Sequence, residues 1–306
     1  MRVKVAAAAF NPIDYQMRRG STESKLLKSP ILGREMGGTL TEVGELVTGF
    51  KIGDEVFGYV GSLASNGTYA EEVVVPASLI ACIPRNLDFA GAAAIRMVGL
   101  TASQAVRRCP IKQGAKVFVA GGAGGVGSMV IRFLMLNGIN NIFSTCGNRE
   151  SRRRLNSMGL SEEKILDYRD AELAEKLKKA AGGSFDVCFD TVGGKMSECS
   201  AEIVRVNGIY VDITFLTTER ARRALFDKAC TVLNVANFAY ALHGNAESLR
   251  FYGEELTRLA ELIQAGELNA TPIEIVGGFS VETVSRAHEM LENNLTHGRK
   301  LIMTID

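Results

Sequence analysis

The chain has 306 residues, of which 46% are apolar and 23% charged, the proportions of a globular protein with a sizeable core. With 35 Lys and Arg against 34 Asp and Glu, its formal net charge is +1, which gives no electrostatic case for a nucleic-acid partner. The six cysteines are scattered without a C-x-x-C pair, no apolar run reaches about 18 residues and no signal peptide is visible, which together predict a cytoplasmic protein without disulfides or a membrane partner.

Residues 1–90 are predicted to be rich in β-structure, because short apolar or alternating runs are separated by turn-forming residues. The turns are expected at Asn11-Pro12, Gly53-Asp54 and Asn66-Gly67. The predicted strands are Val3–Ala7, Gly38–Val43, Glu55–Tyr59 and Tyr69–Val75.

Residues 91–235 alternate between helical and strand patterns, which is typical of a parallel, doubly wound α/β sheet. The predicted helices are Ala90–Arg108, Gly124–Asn137, Arg149–Met158, Ala171–Ala181 and Lys195–Val204. The predicted strands are Val117–Ala120, Ile142–Thr145, Lys164–Asp167, Val187–Asp190 and Ile209–Ile213.

The remaining part of the chain contains one long helical pattern, Ala246–Ala265, which ends at Gly266, a residue type suited to a helix C-terminus. A strand near Ile273–Val276, a helix near Val281–Asn293 and a strand at Lys300–Ile305 are expected after it.

The segment KVFVAGGAGGVG, residues 116–127, contains G-x-G-x-x-G between a predicted strand and a predicted helix. In that position Gly122, Gly124 and Gly127 form a dinucleotide-binding fingerprint, since glycines allow a tight turn, a close pyrophosphate and close helix–strand packing. The first N–H groups of the helix, with its partial positive charge, suit a phosphate. The sequence therefore predicts a nucleotide site here.

The end of the second strand of such a sheet reads the adenosine ribose of the cofactor. Here it carries Asn148, Arg149, Arg152 and Arg153 and no acidic residue at the tip. An acidic residue would favour NAD, whereas guanidinium groups suit the 2′-phosphate of NADP because they donate in a planar fork. NADPH is the predicted cofactor.

Taken together, the motifs of nearly the whole chain resemble the zinc-independent medium-chain dehydrogenase/reductases, in the quinone oxidoreductase and ζ-crystallin-like branch. The matching segments occur in the family's order. They are AAAAFNPID at 6–14, GREMGG at 33–38, GDEVFG at 53–58, GTYAE at 67–71, GLTA at 99–102, AGGAGGVG at 120–127, DYR at 167–169, DTVGG at 190–194 and GRKL at 298–301.

This resemblance implies an α/β fold in which a Rossmann doubly wound parallel sheet is inserted in a GroES-like β-rich domain. The GroES-like substrate domain would comprise residues 1–93 plus 241–306, and the dinucleotide-binding domain residues 94–240. The cofactor would lie in a cleft, and a homodimer joined through the edge of the Rossmann sheet is the family expectation.

The resemblance also implies roles for single residues. Thr101 would approach the nicotinamide, residues 124–127 would contact the pyrophosphate, and Asn148, Arg149 and Arg152 would hold the 2′-phosphate. Tyr168 would pack near the adenosine end, Val192 and Gly193 would line the ribose path, and Lys300 would close over the cofactor. The full set of expected cofactor contacts is Thr101, Gly122, Gly124, Gly125, Val126, Gly127, Asn148, Arg149, Arg152, Tyr168, Val192, Gly193 and Lys300.

Three departures from the family pattern stand out. Members usually have one or two further strands before the position of Val3, often have Pro where this chain has Arg96, and sometimes have Tyr where it has Gln16. Zinc-dependent relatives carry Cys and His at the positions that match Asn11 and Arg34, so no catalytic metal is expected here.

Without a metal to polarise a carbonyl, an acceptor that takes hydride readily is expected, such as a quinone or an α,β-unsaturated carbonyl. Asn11 and Tyr15 are the candidate groups for orienting such an acceptor, although Asn11 is equally suited to a turn before Pro12 and Tyr15 to packing. Two alternatives are an enoyl-thioester reductase of the same superfamily and a non-catalytic NADPH-binding protein.

Overall fold

The computed structural model describes residues 1–20, 24, 29–60, 67–243 and 246–306, which form two compact units. Unit 1 comprises Met1–Leu100 and Phe238–Asp306, and unit 2 comprises Thr101–Asn237. The division therefore lies after residue 100 and after residue 237, where the sequence predicts boundaries after 93 and 240. Asn66, in the predicted Asn66-Gly67 turn, lies outside the described residues.

The predicted strands and helices occur in the predicted order, and further elements that were not predicted lie between them. The strands are β1 (Arg2–Ala9), β2 (Glu35–Glu42), β3 (Glu55–Tyr59), β4 (Glu72–Val74), β5 (Ile80–Cys82), β6 (Val117–Ala120), β7 (Ile142–Cys146), β8 (Ile165–Asp167), β9 (Phe185–Asp190), β10 (Val204–Asp212), β11 (Thr231–Asn234), β12 (Ile273–Gly278) and β13 (Lys300–Thr304). The helices are α1 (Pro12–Arg18), α2 (Phe89–Arg108), α3 (Gly125–Leu136), α4 (Arg149–Ser157), α5 (Leu173–Ala180), α6 (Lys195–Ile203), α7 (Glu219–Asp227), α8 (Ala239–His243), α9 (Ala246–Gln264) and α10 (Val281–Glu292).

Within the described residues of unit 1, the strands form one mixed sheet in the order β12-β13-β1-β2-β3-β5, and β4 pairs with β1. β12 and β13 run parallel, and the other pairs are antiparallel. β1 is central, since Ala7 lies opposite Gly37 of β2 on one side and Thr304 of β13 on the other. The N-terminal and C-terminal segments thus share one sheet.

Helix α2 packs closely against the unit 1 sheet because the contact is built from small residues. Ala7 and Ala9 of β1 lie in one buried cluster with Ala90, Ala93 and Ala94 of α2. On β2, a Cβ on Gly37 would lie 2.5 Å from the carbonyl oxygen of Phe89, so only glycine fits beneath the start of the helix.

Unit 2, all of whose residues are described, contains a parallel sheet of six strands in the order β11-β10-β9-β6-β7-β8. The strand order reverses at the neighbours β6 and β9, which makes their carboxyl ends the crevice where ligands bind in open α/β sheets. Every residue of β6 and β7 is buried, as expected for strands covered on both faces. The predicted doubly wound sheet is confirmed.

Two sequence interpretations need correction. Asn11-Pro12 was expected as a turn, but Asn11 is the N-cap of α1 and Pro12 its first residue, a position where proline's missing N–H costs nothing. The segment after β10 has no predicted element, yet it forms α7 and the short strand β11. α7 buries only Ala221 and Leu225, and no residue of β11 is fully buried, so both elements have weak apolar patterns.

Among the described residues, one helix, α2, is long and apolar enough to cross a membrane by length and composition, with a mean hydropathy of 1.2 over its most apolar window. In the fold, 89% of that window is buried, which is the behaviour of a core helix.

Candidate functional site

The glycine-rich loop between β6 and α3 has no room for side chains on its inner face. Gly121 has φ +70°, a conformation that favours glycine, and it turns the chain at the end of the strand. A Cβ on Gly122 would lie 2.2 Å from Ser144 Oγ, and one on Gly127 would lie 2.3 Å from the Gly121 carbonyl oxygen. The loop therefore needs glycine at these positions to pack against β7 and against itself.

Hydroxyl groups of β7 fix the backbone of this loop. The N–H of Gly122 donates to Ser144 Oγ over 3.1 Å, and that hydroxyl donates to the carbonyl of Val119 over 2.7 Å. The N–H of Gly121 donates to Thr145 Oγ1 over 3.3 Å. The turn is thus held by side chains of the neighbouring strand before any ligand binds.

The N-terminus of α3 is available to an anion. Gly124 is its N-cap, in an extended conformation and without a side-chain cap. The N–H groups of Gly125, Val126 and Gly127 belong to the first turn, where no carbonyl of the helix itself can reach them, and they carry the positive end of the helix dipole. The glycine-rich loop and these N–H groups, residues 121–127, are called the glycine cradle here. A nicotinamide dinucleotide fits the glycine cradle, because its pyrophosphate would accept hydrogen bonds from these N–H groups.

The residues predicted to bind the 2′-phosphate lie at the tip of β7 and the start of α4. They differ in whether their side chains are already hydrogen-bonded within the fold. Asn148 Oδ1 accepts the N–H of Ser151 over 2.8 Å and so caps α4. Arg149 is exposed at the first position of that helix. Arg152 donates through Nη1 to Glu162 Oε2 over 2.8 Å and to the carbonyl of Ile165, so its guanidinium is engaged within the fold.

Tyr168 lies beside this tip, just after β8, with 54% of its surface exposed. Its ring covers Gly147, where a Cβ would lie 2.2 Å from the ring edge. The guanidinium of Arg169 lies 5.8 Å from the ring centre and is held by Asp167 over 2.7 Å. The ring therefore offers an exposed flat surface beside Gly147, and its contact with adenosine stays a prediction.

A buried polar chain joins the carboxyl ends of β9 and β10. Tyr210 OH donates to Asp190 Oδ2 over 2.6 Å and lies 3.0 Å from Thr217 Oγ1, which in turn donates to Asp212 Oδ2 over 2.7 Å. Asp190 Oδ1 accepts the N–H groups of Val192 and Gly193. These contacts fix the loop that was expected to line the ribose path.

Thr101, expected near the nicotinamide, is buried on α2 with 8% of its surface exposed. Its Oγ1 accepts a hydrogen bond from Asn237 Nδ2 over 2.6 Å.

A second polar cluster is buried in unit 1 around Glu35 of β2. Glu35 Oε2 accepts a hydrogen bond from Asn11 Nδ2 over 2.7 Å and pairs with Lys300 Nζ over 2.5 Å. Lys300 Nζ also donates to Asn11 Oδ1, and the N–H of Met97 donates to Glu35 Oε1. Asn11 and Lys300, which lie 289 residues apart, are thus in direct contact. Lys300 was predicted to close over the cofactor, and in the structure its ammonium is held inside this cluster.

The N-terminus of α1 adds a second carboxyl group to the cluster. Asp14 Oδ2 accepts the N–H of Asn11 over 2.8 Å and the hydroxyl of Tyr69 over 3.1 Å. Burial raises the pKa of Asp14 to about 6, although Arg34 and Lys300 oppose that shift. The neighbouring Asp14 carboxyl raises the pKa of Tyr69 further above the value that burial alone would give.

Tyr15 lies elsewhere on α1. It is half-buried, and the guanidinium of Arg19 lies 5.8 Å from the centre of its ring. The structure therefore brings Asn11 into the buried cluster with Lys300 and leaves Tyr15 on another part of the helix.

Sequence reasoning did not assign roles to several residues that organise these sites. Glu35 lies within a matched motif, so the signal for it was present. Asp190 ends a predicted strand and Asp212 is the last but one residue of the next, and two acidic residues at the ends of neighbouring parallel strands indicate a polar contact at that edge. Arg154 gave no local signal, yet its Nη1 donates to the Ala123 carbonyl in the glycine-rich loop over 2.9 Å.

Two family models match the chain. The alcohol dehydrogenase GroES-like domain matches residues 1–85, and the zinc-binding dehydrogenase domain matches residues 160–302.

Individual relatives match over the whole chain. It is 30% identical to the 2-methylene-furan-3-one reductase of Solanum lycopersicum, covering 99% of this chain and 71% of that protein. It is 28% identical to the chloroplastic NADPH-dependent alkenal/one oxidoreductase of Arabidopsis thaliana, covering 99% and 72%. The solved structure of the quinone oxidoreductase from Coxiella burnetii is 29% identical, with a TM-score of 0.80, covering 100% of this chain and 90% of that one.

The GroES-like match at the N-terminal segment, the doubly wound sheet with its glycine cradle and the full-length relatives agree with the resemblance found in the sequence. The chain belongs to the medium-chain dehydrogenase/reductase family, in its quinone-oxidoreductase-like branch, and is an oxidoreductase.

Proposed function

We propose that this oxidoreductase uses NADPH to reduce a quinone or an α,β-unsaturated carbonyl, and that it does so without zinc. The observation that carries the proposal is the buried contact between Asn11, Lys300 and Glu35. It puts an oriented amide and an ammonium group at the position where zinc-dependent relatives carry a metal ligand.

In this reaction, bound NADPH supplies the hydride. Unit 2 contributes the binding surface for it: the first turn of α3 for the pyrophosphate, and the tip of β7 for the adenosine end. The loop after β9, fixed by Asp190, supports the ribose.

When the acceptor receives the hydride, negative charge develops on its oxygen, and the protein must stabilise that charge. Asn11 Nδ2 uses one of its two hydrogens for Glu35, which leaves one N–H for an acceptor oxygen. The ammonium of Lys300 donates to Asn11 Oδ1, and its positive charge favours negative charge on an acceptor oxygen bound to this amide. Because quinones and conjugated carbonyls spread the charge onto an oxygen, this pair suits them, and solvent can supply the final proton.

NADPH is favoured over NADH by the tip of β7. It carries Asn148 and Arg149 with no acidic residue, and Arg149 is exposed. The relative from Arabidopsis thaliana, which matches 99% of this chain, is named as NADPH-dependent, and this supports the same choice.

The side chains at the positions of the zinc ligands do not suit zinc. Asn11 and Arg34 occupy the positions that match the Cys and His of zinc-dependent relatives. An amide that is hydrogen-bonded at both of its atoms and a guanidinium group, which has no lone pair to donate, are unsuited to zinc.

The test is oxidation of NADPH and of NADH, followed by absorbance, against benzoquinone, naphthoquinones, 2-alkenals and a crotonyl thioester, with and without a chelator. Turnover with NADPH and a quinone or alkenal, unaffected by the chelator, is the expected result. Turnover only with the thioester would instead indicate an enoyl-thioester reductase. Binding of NADPH without turnover on any acceptor would indicate a non-catalytic protein.

A homodimer through the edge of the parallel sheet is also part of the proposal. β11 is one of the two edge strands of that sheet, with Val232 48% exposed, and Val206 and Phe226 of unit 2 are also exposed. Such an edge can pair with the same strand of a second copy. Light scattering should give twice the chain mass, and Val232→Lys should give the monomer. A monomeric wild-type protein would contradict this.

A further inference from the structure

Arg96 is a completely buried guanidinium group at the centre of unit 1. It lies on α2, with 0% of its surface exposed, beside the rings of Tyr59 and Tyr252. Its guanidinium carbon is 3.3 Å from the centre of the Tyr59 ring and 5.8 Å from that of Tyr252. The Tyr59 ring therefore covers one face of the guanidinium.

One edge of this guanidinium lacks a partner. Nη1 contacts Met97 Sδ at 3.6 Å, whereas Nε and Nη2 have no hydrogen-bond partner in the described part of the chain. The Nε–Nη2 edge is the one that forks onto a carboxylate with two parallel hydrogen bonds. Buried donors of this kind are normally satisfied, so this edge can take an acceptor from a ligand.

The carboxylates nearby do not fill that place. Glu35 is close enough for its charge to favour the cationic form of Arg96, but its oxygens are taken by Asn11, Lys300 and the N–H of Met97. Asp14 is held by Asn11 and Tyr69. Neither carboxyl group forms an ion pair with Arg96 among the described residues.

Burial lowers the pKa of Arg96 only to about 10, so the group remains cationic at neutral pH. An anion is therefore the acceptor that best suits its Nε–Nη2 edge.

We propose that the acceptor of this reductase carries a carboxylate, and that the carboxylate binds the Nε–Nη2 edge of Arg96, in the same buried cluster as Asn11 and Lys300. Arg96 is then the residue that selects an anionic unsaturated carbonyl over a neutral one. Members of the family often have proline where this chain has Arg96. The substrate assignment rests on the proposed function.

The kinetic test compares two acceptors that differ in charge, 4-oxo-2-pentenoate and its neutral amide, 4-oxo-2-pentenamide. The ratio of kcat/KM for the acid over that for the amide should fall at least tenfold in Arg96→Met and less in Arg96→Lys. Comparing ratios between proteins cancels the different reactivities of the two alkenes. The matched control is Arg258→Met on α9, where an arginine paired with Glu255 is half-exposed, and this variant should keep the wild-type ratio. An unchanged ratio in Arg96→Met would overturn the proposal.

Folding of the variant is checked separately. Replacing a buried, incompletely paired charge by an apolar residue of similar length is often neutral or stabilising. Arg96→Met should therefore melt at or above the wild-type temperature. A large loss of stability would show that the arginine is retained for folding and would count against a binding role.

A binding measurement on the wild-type protein does not depend on turnover. Acetate, titrated calorimetrically against acetamide as the neutral control, should bind the wild-type chain and not Arg96→Met. If acetate binds but no acceptor is turned over, the proposed reductase activity fails and the anion site stands. If acceptors are turned over but acetate does not bind and the ratio is unchanged, the anion site fails and the reductase activity stands.

Discussion

Ser144 Oγ occupies the space that any side chain on Gly122 would need. An ideal Cβ on Gly122 would lie 2.2 Å from that oxygen, which also accepts the Gly122 N–H. The strand that pairs with β6 thus determines the residue type in the loop that follows β6.

This contact predicts that Gly122→Ala destabilises the fold. Overpacking in a well-packed region costs roughly 1–3 kcal/mol. Ser144→Ala in the same chain should recover part of that loss, because it removes the oxygen that the new methyl group meets. Urea denaturation of the two single variants and the double variant measures this coupling, and strictly additive losses would contradict it.

Gly124 should behave differently, because it is the N-cap of α3. Asp and Asn are both favoured at an N-cap, and a Cβ here would lie 3.2 Å from the Gly121 carbonyl oxygen, so Gly124→Asp and Gly124→Asn should fold. The carboxylate would repel a pyrophosphate at the helix N-terminus, so Gly124→Asp should abolish NADPH binding. Gly124→Asn, which adds similar bulk without charge, should bind more tightly than Gly124→Asp. Equal affinity of Gly124→Asp and wild type in a titration would rule out this pyrophosphate site.

The arginines after β7 should divide into one that selects the cofactor and one that holds the fold. Arg149→Glu should weaken NADPH about tenfold more than NADH, since a hydrogen bond to a charged group is worth roughly 1.5–3 kcal/mol. Arg152→Glu should in addition lower the melting temperature, because Arg152 holds Glu162 and the Ile165 carbonyl. Arg153→Glu, at an exposed position on the same helix, is the control. Equal losses for both cofactors in Arg149→Glu would exclude the 2′-phosphate role.

Asp14 makes stability depend on pH with a defined sign. Its pKa is about 6 in the folded protein and 3.8 as an unperturbed group, so the folded state holds the proton more tightly between these values. The stability that this proton provides is present below pH 3.8 and is lost as the pH rises through 6. Asp14→Asn keeps an acceptor oxygen and does not titrate.

The stability of Asp14→Asn relative to wild type should therefore increase between pH 4 and pH 6, by on the order of 2 kcal/mol, and stay constant above that range. Taking the difference between the two proteins removes the opposite effect of buried His288, whose pKa is lowered to about 4 chiefly by burial. Denaturant unfolding at a series of pH values measures this. A difference that does not vary with pH would show that Asp14 does not titrate in this range.

The elements with strong patterns could be predicted from the sequence. β6 was predicted without error, and α3 and α4 within one residue at each end, because continuous apolar runs and helical periodicity depend on local sequence. Asn11-Pro12 was misread because the same dipeptide suits a turn and a helix start. β11 was missed because an exposed edge strand needs no apolar run.

One part of the candidate site could be predicted from a local motif, whereas the rest depends on contacts between distant parts of the chain. The glycine cradle is a local motif and was found with its residue numbers. The contact between Asn11 and Lys300 depends on β1 and β13 being neighbours, which no local pattern encodes. Arg96 departs from the family pattern in the sequence, but only the structure shows that its Nε and Nη2 are buried beside Tyr59 without a hydrogen-bond partner among the described residues.

The pairing of β1 with β13 also sets an order of folding during synthesis. Ala7 lies opposite Thr304, so β1 acquires this neighbour only when the last strand has been made. All strands of unit 2, by contrast, are present once Asn237 has emerged from the ribosome. Since domains fold as units while the chain is made, unit 2 is expected to be folded while unit 1 still awaits its final strand. The buried pair of Glu35 and Lys300 then forms among the last contacts of the protein.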